Sequence, residues 1–187
     1  MNSNPNSKPD TQRSMLTLLI CLTLSVGLIL SCFVTRAIEP QKRDLQWAYM
    51  MNFIPYFSWP DNSNMDEVDV CIIGRNPFAV VRKYGPIKNK NVRVMVKHHN
   101  NLPDISILQH CQVIYFSSSI TTAQLSFIFT KLKGFPIVTM GDHQGFIKIG
   151  GILQFTQSGN KLRFRLNKPL LNTIDIKIHP SLLRLSD

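Results

Sequence analysis

Hydrophobic positions along this chain change period several times, and each change marks an element. Met15 to Val34 is a continuous apolar run with no charged side chain. From Arg43 to Trp59 the apolar residues return at helical spacing. Trp47, Met50, Met51, Ile54 and Phe57 form one face, and Tyr49, Phe53 and Tyr56 form a second. One apolar stripe is enough for a helix lying on a core. Two stripes predict a helix that touches two things. Pro55 has no amide proton to donate, so the helix must kink or end there. Pro60 to Ser63 then reads as a turn.

Further along, short apolar strands alternate with helical stretches. Val68 to Ile73 reads as a buried strand. In the following Gly74-Arg75-Asn76-Pro77, Asn76 suits a helix cap and Pro77 a first helical position, which predicts a short helix over Phe78 to Tyr84. Val92, Val94 and Val96 alternate with Arg93, Met95 and Lys97, the pattern of a half-exposed strand. Cys111 to Phe116 is another buried strand, Ser117 to Ser119 a turn, Thr122 to Leu132 a helix, and Pro136 to Met140 the next strand. A glycine-punctuated loop spans Gly141 to Gly151. Ile152 to Gln157 and Lys161 to Leu166 pair as a hairpin around Ser158-Gly159-Asn160. Lys168 to Asn172 is expected to be helical, and the chain to close over Pro180 to Leu185 with Leu182, Leu183 and Leu185 buried. This order predicts an α/β three-layer sandwich: a mostly parallel sheet covered on both faces, with an antiparallel C-terminal hairpin.

The N-terminal run reads as an address. Lys8 and Arg13 precede it, and Thr35-Arg36-Ala37 supplies small side chains for a signal peptidase. Residues 1–37 are therefore expected to be a signal peptide, with 38–187 the exported domain. The run is also long enough for an uncleaved membrane anchor, and Ile29 to Cys32 loosely resembles a lipid-attachment box. Every route carries the body out of the cytoplasm. Of the four cysteines, Cys71 and Cys111 alone lie beyond that segment, and in an oxidising compartment such a pair is expected to bridge. Both would lie towards the amino ends of parallel strands, away from Gly74, Ser117 and Gly141, where chemistry in such sheets collects.

Charge excludes little. Setting aside Lys8, Arg13, Arg36 and Asp10 from 21 Lys+Arg and 11 Asp+Glu leaves a net of +8. The cations are scattered and make no nucleic-acid motif, so no nucleic-acid partner is expected. Gly74 to Pro77 lacks the glycines of a dinucleotide site and the lysine of a P-loop. Ser117 to Ser119 lacks the G-x-S-x-G frame of a nucleophile elbow. His98 and His99 should point to opposite faces of a strand, which disfavours a shared metal. Asp142-His143 is a polar pair without a third partner. No catalytic residue, metal ligand or cofactor is expected.

Several pieces nevertheless occur in a telling order. They are Tyr49, Asn52, Phe53, Phe57 and Trp59-Pro60 in the first helix, Gly74-x-x-Pro77-Phe78 after the first strand, and Cys111 to Phe116 followed by serine. Then come Pro136 to Thr139, Asp142-x-x-Gly145-Phe146, Gly150-Gly151, Asn167, and Ser181 to Leu185. Over essentially the whole exported part the chain resembles the YfiR family. That resemblance implies a periplasmic repressor that binds the sensor domain of an inner-membrane diguanylate cyclase, or of another signalling protein, and lowers cyclic di-GMP and biofilm formation. Pro55 and the lack of a second cysteine pair depart from the family pattern. Tyr49, Phe53 and Tyr56 are the expected partner or homodimer surface, and Asp142, Gly145, Phe146, Gly150 and Gly151 the expected docking loop. Glutamate at Phe53 or Tyr56 is expected to weaken association while leaving the monomer folded. The alternative is an extracytoplasmic module binding a small ligand at the carboxyl ends of the strands, and an exported hydrolase stands third.

Overall fold

The computed structural model describes residues 42–60, 66–78, 87–89 and 92–186. The export segment with its boundary at residue 37, the turn beyond Pro60, and the helix expected from Phe78 lie outside the described residues, Phe78 itself excepted.

Helix α1 covers residues 42–53 and gives way at Pro55 to a single 3-10 turn, Ile54–Tyr56. The missing proline amide ends the helix rather than kinking it. Strand β1 (Phe57–Ser58) follows. Then come β2 (Glu67–Ile73), β3 (Ile87–Asn89), β4 (Val92–His99), α2 (Ile105–Leu108), β5 (Val113–Phe116) and α3 (Thr122–Lys131). The remainder is β6 (Val138–Gly141), β7 (Leu153–Ser158), β8 (Lys161–Leu166), α4 (Lys168–Leu171), β9 (Lys177–Ile178) and α5 (Pro180–Leu185).

Seven strands form one sheet in the order β3-β4-β2-β5-β6-β7-β8. The five from β4 to β7 run parallel, while β3 and β8 are antiparallel edges. A two-stranded ribbon, β1 with β9, pairs Phe57 with Ile178. The expected parallel sheet and C-terminal hairpin are both present.

Alternation along the strands splits the core between the two faces. Val68, Val70 and Ile72 of β2, with Val113 and Tyr115 of β5, pack under α1 through Trp47, Met50, Met51 and Ile54. Ile73, Ile114 and Phe116 face the other way, onto Leu125 and Ile128 of α3, Leu108 and Phe146. Helix α3 starts at a capping box: Thr121 Oγ1 accepts from the Gln124 amide, and the Gln124 side chain accepts from the Thr121 amide. The result is the three-layer sandwich.

Cys71 and Cys111 form the expected disulfide, with Cα atoms 6.0 Å apart and both residues buried. Its position differs from expectation. Cys71 is the fifth of seven residues in β2 and lies level with Ile114, whereas Cys111 precedes β5. The turn after α2, closed by the Cys111 amide on the Leu108 carbonyl at 3.1 Å, carries Cys111 over the α3 face. The bridge therefore runs diagonally across that face, with Cys71 only three residues from Gly74.

Candidate functional site

The carboxyl ends of the parallel strands carry the polar residues that sequence patterns single out, and these groups bond one another. The Gly74 amide donates to the His99 carbonyl, and the Gly74 carbonyl meets His98 Nε2, both at 2.8 Å. Ser119 Oγ accepts from the Arg75 amide and lies 2.8 Å from Ser117 Oγ. A Cβ on Gly74 would come within 2.4 Å of Ser119 Oγ, and its φ of 90° also favours glycine. Ser117 is buried with another hydroxyl as its partner rather than a base. A nucleophile needs a neighbouring group to take its proton.

The loop after β6 is held just as firmly. Asp142 forms an ion pair with Arg43 at the start of α1, each side chain about one-fifth exposed. Next to Arg43, the buried Gln46 donates from Nε2 to the Tyr115 hydroxyl at 3.1 Å. Burial, and then the Asp142 carboxylate, push the Tyr115 hydroxyl well above the ordinary tyrosine range, so it stays protonated. His143 Nε2 lies 2.8 Å from the Ile120 carbonyl, and its ring stacks on Phe146.

Phe146 is fully buried rather than presented for docking, and is edged by Phe129 at 5.3 Å. The glycines around it exist for that ring: a Cβ on Gly151 would stand 2.2 Å from it, and one on Gly141 2.7 Å. Gly145 and Gly150 shape the turns on either side. Asn167 Nδ2 donates to the Ile147 and Gly151 carbonyls while Asn167 Oδ1 accepts from the Leu170 amide, so one side chain fixes the loop and caps α4. Periodicity gave no hint of this double role, although an Asn directly before a Lys-Pro helix start is itself a cap signal. Of the expected docking residues, Asp142, Phe146 and Gly151 are engaged within the fold.

Open surface lies elsewhere. A groove of about 460 Å³ runs between α1, β8 and α5, lined by Tyr49, Asn52, Phe53, Tyr56, Leu162, Arg163, Phe164, Leu182 and Leu185. Phe53 is buried at its base, 4.6 Å from the Phe164 ring and stacked on Phe155. A charge there would enter the core, so the expectation that glutamate at Phe53 spares the fold does not survive. Tyr49 and Tyr56 are half-buried, Tyr49 against Phe53 and Tyr56 edge-on to His179. Leu185, expected to be buried, is 65% exposed. Leu182, one turn earlier, takes the core position and leaves Leu185 over the groove.

Among the described residues no group of histidine, cysteine or acidic side chains could hold a metal ion, and no helix is long and apolar enough to cross a membrane. No curated protein matches the chain. A family model described as YfiR/HmsC-like matches residues 43–187, from the first turn of α1 through α5. The bridge, the Phe146 plug and the open groove all fall within that span, and the chain belongs to the YfiR/HmsC-like family.

Proposed function

We propose that the protein is a periplasmic, non-enzymatic regulator that binds the sensor domain of an inner-membrane diguanylate cyclase and holds the cyclase inactive, lowering cyclic di-GMP and biofilm formation. The family match across residues 43–187 carries this reading. The geometry agrees with it: most polar groups at the sheet end bond within the fold, while Leu185 of α5 stands exposed over the apolar groove. Tyr49, Tyr56 and Leu185 are the proposed contact residues for the partner and for a homodimer, with Phe53 as the floor beneath them. The Met15 to Val34 run supplies the route to the periplasm.

The small-ligand alternative finds most of the described polar groups at the carboxyl ends of the strands bonded within the fold, with His99 Nε2, Asp142 Oδ1 and His143 Nδ1 left without a partner there. The hydrolase reading lacks a base beside Ser117. Affinity purification of the full chain from solubilised inner membranes tests the proposal. A diguanylate cyclase should co-purify, and its recovery should fall at least tenfold with Tyr56→Glu. A correctly exported, folded chain that retains no cyclase would overturn it.

A further inference from the structure

The partner's chemistry can be narrowed further, on the assumption that the regulator reading above holds. Strand β8 is the last strand of the seven-stranded sheet, and among the described residues no strand pairs with its outer side. The Asn167 amide donates to the Ile152 carbonyl, which sets the phase of the β7–β8 ladder. Antiparallel pairing alternates, so the backbone of Lys161, Arg163 and Arg165 turns towards β7. The amides and carbonyls of Leu162, Phe164 and Leu166 turn outwards, to the open edge.

The two faces of this edge differ. Phe164 and Leu166 point to the α1 side and are buried there, and the groove with Leu182 and Leu185 lies along it. On the opposite face Lys161 and Arg165 are exposed, across from the neutral Ser158 and Gln154 of β7. Pairing with a second copy of β8 would bring cations against cations, which is unfavourable at cross-strand distances. An acidic strand would meet the opposite condition.

We propose that the open edge of β8, with the apolar groove on one face and the cations Lys161 and Arg165 on the other, receives an extended segment of the partner protein whose side chains alternate apolar and acidic. Main-chain bonds to Leu162, Phe164 and Leu166 hold that segment. Its apolar residues enter the groove beside Leu185, and its carboxylates meet Lys161 and Arg165, because successive side chains of a strand point to opposite faces.

The test uses the full chain and a capped eight-residue peptide alternating valine and glutamate, with binding followed by calorimetry at low salt. Three controls accompany it: the same peptide with glutamine for glutamate, the same peptide with alternate backbone amides methylated, and the double variant Lys161→Glu with Arg165→Glu. The glutamate peptide should bind, and each control should weaken binding at least tenfold. No binding at millimolar peptide, or equal binding of the glutamate and methylated peptides, overturns the proposal; the latter shows charge attraction without strand addition. The double variant also goes into the membrane purification. Cyclase recovered equally by the variant and the parent sinks the edge proposal and leaves the regulator reading intact. Cyclase absent from the parent sinks the regulator reading itself.

Discussion

The carboxyl end of the parallel strands and the groove beside β8 make opposite use of their side chains. At the first, His98, Ser117, Ser119, Asp142 and His143 are reactive residue types, each with a bond to a neighbour in the fold, while Asp142 Oδ1 and His143 Nδ1 keep no partner. At the second, the half-buried Tyr49 and Tyr56 line a groove under the exposed Leu185, and the surface is mainly apolar. In parallel α/β sheets a ligand normally sits at the first place. Here that place serves as a structural lock, and under the proposed function recognition falls to the side of the sandwich. The difference separates two kinds of variant: changes at the lock should cost stability, and changes at the groove should cost association.

The largest loss is expected for Phe146→Ala, which empties a fully buried ring site between α3 and two glycines. It should cost about 3–5 kcal/mol in denaturant unfolding. A loss below 1 kcal/mol would mean that the loop is not held by its ring. Replacing Cys71 and Cys111 together with alanine should cost about 4 kcal/mol, since the bridge closes a loop of about 40 residues. The same denaturant unfolding with and without reductant checks it. Tyr115 gives a pH signature of the lock. Its hydroxyl is held above the ordinary range, so its contribution to stability is complete below about pH 10 and fades as pH rises beyond that. Tyr115→Phe should flatten this alkaline decline. The smallest change in stability is expected for Leu185→Ser, within about 0.5 kcal/mol because the residue is mostly exposed. Cyclase recovery should nevertheless fall. Lost stability with unchanged recovery would erase the contrast between the two regions.

The sequence showed the architecture more plainly than the site. Strand alternation, the Ser158 to Asn160 turn and the proline stop at residue 55 were all legible because they rest on local chemistry. The ribbon of β1 and β9 was not, because two-residue strands carry no period, and the brief α2 and β3 have little. The glycine loop looked like a docking feature because glycine marks both exposed turns and close packing. Only the ring of Phe146 lying on Gly141 and Gly151 separates the two cases. Phe53 was misplaced for a similar reason. Its stripe on α1 meets a second apolar layer, and that layer is the hairpin of this same chain, through Phe155 and Phe164. Leu185 shows the reverse, since Leu182 of the same helix is a core residue and it is not.

Cyclic di-GMP itself gives the most direct test of the central claim. Its concentration should be measured in cells lacking the gene, in cells complemented with the parent chain, and in cells complemented with Tyr56→Glu exported to the same level. Deletion should raise the nucleotide several-fold, the parent should restore it, and the variant should leave it high. An unchanged concentration on deletion, in cells that contain the membrane cyclase, would contradict the account.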